Sequence, residues 1–373
     1  MDINNKVFLR RTKTLRRPSF RMRDIMGQNT TKGEVGIEIE VEGKNIPSNL
    51  SSLQPYWTFH KDGSLRGEES GEYVLARPIP FDKVSDACDL LWSLFEKKKT
   101  VFDESNRTSV HVHLNCQEFH LDRIACFSAL YLCFEEVLTE WCGEFRVGNL
   151  FCLRSKDAPS IVNSIKKFLE ADGKMQFSSG MHYSGFNISA LQKFGSIEIR
   201  TMRGVQTADL ITDWVSILER LYTLSGEFKD PRDIPALFSE QGPSDFFSSV
   251  LGDKAQLVSN GINMNDQQIR ESMYEGIRFA QDICYCRDWT LLDRVEDLKD
   301  PFKRSSKDVM ASMIQAVQAA TAMEASALGA AAQYTQAATG FIPPPPSSPS
   351  PLWFNELTDM DEEDGYEDED DSI

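Results

Sequence analysis

The chain lacks the short motifs that mark the common nucleotide and nucleophile sites. It contains no Gly-x-x-x-x-Gly-Lys-Ser/Thr loop, no Gly-x-Gly-x-x-Gly turn and no Gly-x-Ser-x-Gly elbow. P-loop, dinucleotide-fold and α/β-hydrolase chemistry in their usual forms are therefore excluded. The eight cysteines, at 88, 116, 126, 133, 142, 152, 284 and 286, form no Cys-x-x-Cys unit. Cys284-Tyr285-Cys286 stands alone, so a zinc site is not indicated. Several cysteines fall at apolar helical positions, where a free thiol behaves as a small hydrophobe. No apolar secretory core precedes the first acidic stretch, and a reducing, cytoplasmic setting is the expectation.

A basic surplus is also missing. The 373 residues carry a net charge of -17, unevenly placed. Residues 1–24 hold eight Lys or Arg against Asp2 and Asp24, whereas residues 355–373 hold eleven Asp or Glu and no base. Without that tail the balance is only -6, mildly acidic, so a nucleic-acid-binding surface is not expected. The run Arg10-Arg11-Thr12-Lys13-Thr14-Leu15-Arg16-Arg17 has the composition of an organelle transit peptide. A solvated basic arm is the simpler account, and the acidic tail would suit a basic protein partner or serve solubility alone.

What the chain does have is three short segments alternating with a period of two. Glu34-Val35-Gly36-Ile37-Glu38-Ile39-Glu40-Val41 puts Val35, Ile37, Ile39 and Val41 on one strand face, and Glu38 and Glu40 on the other. Val110-His111-Val112-His113-Leu114 repeats the pattern with two imidazoles, and Ser196-Ile197-Glu198-Ile199-Arg200-Thr201 with a Glu and an Arg. Successive strand side chains point to opposite sides, so each pair projects together. In one sheet, the three strands would gather Glu, His and Arg on a single face.

The remaining pattern predicts an α+β arrangement with a mainly antiparallel sheet. Tyr56 to His60, a turn at Lys61-Asp62-Gly63-Ser64, and Glu72 to Arg77 read as a hairpin. Helical spacing runs through Val84 to Phe95, Ile124 to Trp141, and Leu210 to Leu221. These helices are expected on the apolar face of the sheet, leaving the polar face open. Asp230 to Asp253 reads as loop-rich and Gln267 to Gln281 as helix. The domain plan is a basic flexible arm over 1–32 and an ordered domain over 33–305, with its motif core at 34–225 and a helical extension at 226–305. An Ala-rich helix or connector (306–342) and a Pro-rich linker with a disordered acidic tail (343–373) complete it. The Ala-rich stretch is interrupted by Gln315, Gln318, Glu324 and Gln333, so no membrane span is expected.

Mg²⁺ and Mn²⁺ prefer hard oxygen ligands, with imidazole better tolerated by Mn²⁺. Glu38, Glu40, Glu72 and Glu198 are the candidate carboxylate ligands. His111 and His113 could add nitrogen ligands or meet phosphate. Arg200 would neutralise charge on a transferring phosphoryl group, and Arg203 could also serve phosphates. A Cys–His hydrolase at Cys116 is disfavoured, because Cys116 should alternate onto the apolar face. Each motif alone is more often a solvated strand face or an ordinary cross-strand pair.

The ordered series Gly36-Ile37-Glu38-Ile39-Glu40, Asp62-Gly63-Ser64-Leu65, Glu72-Tyr73-Val74-Leu75-Ala76-Arg77-Pro78, His111-Val112-His113, Arg146-x-x-Asn149 and Ile197-Glu198-Ile199-Arg200 resembles the amidoligases. These are glutamine-synthetase-like carboxylate–amine ligases, many of them from phages and bacteria, more distantly related to glutamate–cysteine ligase. The likeness spans about residues 34–225. It implies a curved antiparallel sheet lining a funnel for ATP and two or more Mg²⁺ or Mn²⁺ ions. ATP would phosphorylate a small-molecule or peptide carboxylate, and an amine would displace the phosphate to form an amide. By match of motif, Glu38, Glu40, Glu72 and Glu198 would be metal ligands, with His113, and His111 beside it, at metal or nucleotide phosphates. Arg200 would contact phosphate. Arg146 and Asn187 would lie on the substrate or nucleotide side. Ala76 departs from the Ser or Thr often found in relatives. The expected activity is an ATP-dependent ligase, in the host cytoplasm for a phage-encoded chain. The rivals are a non-catalytic binding protein on the same fold and a metal-dependent phosphoesterase.

Overall fold

Where apolar and polar residues alternate, the chain forms the central strands. The computed structural model describes residues 20–289 except 52, 54, 55, 178 and 205. Its strands are β1 (Val35–Lys44), β2 (Trp57–His60), β3 (Glu69–Leu75), β4 (Val101–Phe102), β5 (Ser109–Asn115), β6 (Phe186–Asn187) and β7 (Ser196–Arg203). They pair antiparallel in the order β2-β3-β1-β5-β7-β6, with β4 joining the end of β1. The three alternating segments of the sequence thus become neighbours at the sheet centre. Val35, Ile37, Ile39 and Val41 are all buried on the core side of β1. Gly43 lets β4 close on β1, since a Cβ there would stand 2.0 Å from the Val101 carbonyl oxygen.

The helices are α1 (Met22–Met26), α2 (Val84–Lys98), α3 (Leu121–Cys142), α4 (Ser160–Glu170), α5 (Ala190–Phe194), α6 (Ala208–Ser225), α7 (Asp233–Leu251), α8 (Ala255–Gly261) and α9 (Asp266–Cys284). The protein is a mixed α+β fold. Helix α3 is apolar nearly all round, as a helix enclosed by other elements must be. It packs on β7, α6 and α9. Its approach to α9 is close enough to require Gly276, where a Cβ would lie 2.5 Å from the Leu132 carbonyl oxygen. Among the described residues no helix is long and apolar enough to cross a membrane.

Three expectations need correction. The ordered chain does not begin at Gly33: α1 lies within the expected flexible arm, and Met22 is fully buried. Its backbone N–H donates to Phe119 O at 2.8 Å, and that of Arg23 to Gln117 O at 3.0 Å, so the arm is tied to the start of α3. The loop-rich segment is in fact α7, two helical pieces joined at Gly242, where φ is 75°. Gly242-Pro243 makes a local joint, because glycine tolerates positive φ and proline suits the first turn of the next piece. Ile234, Leu237 and Phe238 before it, and Phe246, Phe247 and Val250 after it, are buried. Finally, the polar sheet face is not open at its centre, since Glu40, His111 and Glu198 are buried. The helical extension, as far as residue 289, shares one apolar core with the rest through α9 and α3. Residues 1–19, 290–305, the Ala-rich stretch, the Pro-rich linker and the acidic tail lie outside the described residues.

Candidate metal centre

Register places the acidic and imidazole side chains directly opposite one another. Glu40 pairs with Glu72 across β1 and β3, Glu38 with His111 across β1 and β5, and His113 with Glu198 across β5 and β7. Directly opposed residues share a sheet face, so four strands contribute to one cluster. Gly36 lies opposite His113 and has no side chain to cover the imidazole, leaving that end of the face to His113 and Glu198.

The cluster is dense. His111 Nδ1 lies 3.1 Å from Glu38 Oε2 and 3.6 Å from Glu198 Oε1, and its Nε2 lies 3.8 Å from Glu40 Oε1. His113 Nε2 stands 3.2 Å from Glu38 Oε1 and 3.9 Å from Glu198 Oε1. Two sets of ligand atoms each fall within 4.8 Å of one another: Glu38, His111 and Glu198, and Glu40, Glu72 and His111. His111 is common to both. A neutral imidazole has one lone pair, so His111 would complete one set with a nitrogen ligand and a second cation would rest on the carboxylates of the other.

Electrostatics shows what a cation would relieve. Burial works against ionisation of Glu38, but hydrogen bonds from His111 and His113 outweigh it and hold the carboxyl far below the usual range. Burial likewise opposes the Glu198 charge, yet Arg200, then His111 and His113, keep that carboxyl low. Burial also opposes protonation of His113, while the hydrogen bond to Glu38 and the Glu198 charge raise it overall. Glu72 has no such partner. Burial first, then the charges of Glu38 and Glu40, push its carboxyl up to about 8. Three carboxylates side by side hold a proton that a divalent cation would displace. The donor set therefore fits a hard or borderline cation.

Arg200 donates from Nη1 to Glu198 Oε1 at 2.5 Å and stands 3.5 Å from His111 Nδ1. Among the described residues its buried Nε has no partner. Asn187 donates to the other oxygen of Glu198 at 2.7 Å. Its place on β6 brings it into the centre by way of a two-residue strand. Neither family models nor curated proteins match this chain.

The other two arginines are set apart by a bulge in β7. Between the pairs Val112↔Ile199 and Val110↔Met202 the register shifts by one, so Arg200 and Thr201 together face His111. Thr201 then turns to the core, where Tyr131 meets its hydroxyl at 2.6 Å. The shift returns Arg203 to the polar side, opposite Ser109. Arg203 donates from Nη1 to Cys142 O at 2.6 Å. Arg146 is almost wholly buried, and its Nε and Nη2 donate to Thr201 O at 2.9 Å and Arg200 O at 2.7 Å. It takes the place of a neighbouring strand where β6 stops short.

Two residues of the centre were missed in the sequence. Ser109 donates to Glu40 at 2.6 Å and lies 2.7 Å from His111 Nε2, and Ser196 lies 3.0 Å from His113 Nδ1. Both continue the period of two that identified the histidines and Glu198. Extending each alternation by one step would have found them. Cys116 is buried on the apolar side, as expected.

Proposed function

We propose that this protein is a divalent-cation-dependent ligase that uses ATP to join a carboxylate to an amine, on a glutamine-synthetase-like sheet. The observation that supports it is the pair of ligand sets sharing His111, with Arg200 beside them. A carboxylate is a poor acyl donor until it carries a phosphate leaving group. In the first step a carboxylate oxygen attacks the γ-phosphorus and ADP leaves. In the second the amine nitrogen attacks the acyl carbon, the bond to phosphate oxygen breaks, and the nitrogen gives up a proton. Both steps bring anions together, which needs cations and a guanidinium to screen them. Mg²⁺ or Mn²⁺ would be held by Glu38, Glu40, Glu72 and Glu198 with the two histidines, and would supply charge neutralisation. Arg200, which donates to Glu198, would neutralise charge on the transferring phosphoryl group, with Asn187 orienting Glu198 from its other side.

Thermal stability with and without Mg²⁺ and ATP tests this reading, beside a Glu38→Ala/Glu40→Ala variant. A ligand at about 100 times its dissociation constant stabilises by about 2.7 kcal/mol. The expected rise needs metal and nucleotide together and disappears in the variant. No rise in the wild type would remove the proposal. ADP release that needs an added amine separates a ligase from a phosphoesterase.

A further inference from the structure

Glu40 faces a second feature. It also lines a cavity of about 590 Å³, a volume suited to a small-molecule ligand. Glu42, Asp103, Glu104, Glu140 and Glu144 line the same cavity, and among the described residues none of these five has an ion-pair partner. Helix α3 ends there, with Glu140 in its last turn, and Arg203 from β7 donates to the terminal carbonyl of Cys142. With Glu40, six acidic residues against the two guanidiniums of Arg146 and Arg203 leave the lining of this concavity net negative, a field that favours cations.

A different side chain makes the opposite demand. Arg146 lines the cavity and is only 1% exposed. Its Nε and Nη2 are used by carbonyls, but among the described residues its buried Nη1 has no acceptor. A buried charged donor left unpaired is costly, so this one calls for an anionic oxygen from a ligand. Trp141 and Phe145 add an apolar wall. The ligand must therefore offer ammonium groups, a short apolar stem and a carboxylate.

We propose that this cavity binds a basic amino acid of the lysine class, with its carboxylate on Arg146 and its ammonium groups among Glu140, Glu144, Asp103 and Glu104. That this molecule is the amine substrate rests on the ligase reading, and the shared Glu40 puts it next to the metal centre.

Calorimetric titration of the full chain tests the assignment, with and without Mg²⁺ and a non-hydrolysable ATP analogue. The probes are L-lysine, norleucine (no side-chain ammonium), cadaverine (no carboxylate) and L-glutamate. Lysine should bind at least tenfold tighter than each of the other three. A Glu140→Gln/Glu144→Gln variant should lose at least tenfold in lysine affinity while keeping its Mg²⁺–ATP stabilisation, which also reports that it folds. Absence of lysine binding under both conditions overturns the proposal, as does norleucine, cadaverine or glutamate binding equally well. Lysine binding without any Mg²⁺–ATP response would uphold the ligand class and sink the ligase role. The reverse result would sink the cavity assignment alone.

Discussion

Replacing Glu135 by glutamine should change how the stability of this protein depends on pH. Glu135 lies on α3, four residues after the Tyr131 that meets Thr201, and is buried. Its Oε2 accepts from the Ser155 backbone N–H at 2.9 Å, while Oε1 has no partner among the described residues. Burial pushes the carboxyl up from 4.5 to about 7, although the bonds from Ser155 and the charge of Arg154 pull the other way. The folded state thus holds a proton that the unfolded chain releases near pH 4.5. Stability from this group is full below that point, falls as pH rises towards 7, and is flat above it. At about 1.36 kcal/mol per unit, the loss is about 3 kcal/mol. The amide of a Glu135→Gln variant would be neutral throughout and would keep an oxygen for the Ser155 N–H. Urea denaturation at about pH 5 and about pH 8.5 should therefore find the two proteins within about 1 kcal/mol of each other in acid. In base the variant should be the more stable by about 3 kcal/mol. A stability gap that is the same at both pH values would refute the argument.

Gly276→Ala should destabilise by about 1–3 kcal/mol, because the new methyl meets the Leu132 carbonyl between α9 and α3. In an exposed helix the same change would stabilise, so a raised denaturation midpoint would show that the helices are not that close. Arg146→Met should cost about 2–4 kcal/mol by leaving the Arg200 and Thr201 carbonyls without donors. Unchanged stability in chemical denaturation would remove Arg146 as the brace of β7.

The central strands and most helices were legible because their apolar residues keep a strict period. Val35 to Val41 alternates without a break, and Ile124 to Trp141 keeps one helical register. The segment over α7 was misread because Pro231, Pro235, Gly242 and Pro243 are strong local breakers. Burial of Phe246, Phe247 and Val250 against the core overrode them. The arm was misread for a similar reason, since its basic composition hides Met22, whose burial depends on the distant Phe119 and Gln117 backbone.

The sequence by itself determined which side chains share a strand face, because side-chain direction alternates whatever the strand pairs with. Glu38 with Glu40, His111 with His113, and Glu198 with Arg200 needed nothing more. Only the tertiary structure decided which faces meet. It set Glu38 opposite His111 and His113 opposite Glu198, and placed a bulge that carries Arg203 to the polar side. It also turned Arg146 into a substitute strand neighbour and brought the end of α3 to the acidic cavity. These depend on pairings between residues far apart in the chain, whose register is chosen by burial of the whole core and leaves no local trace in the sequence.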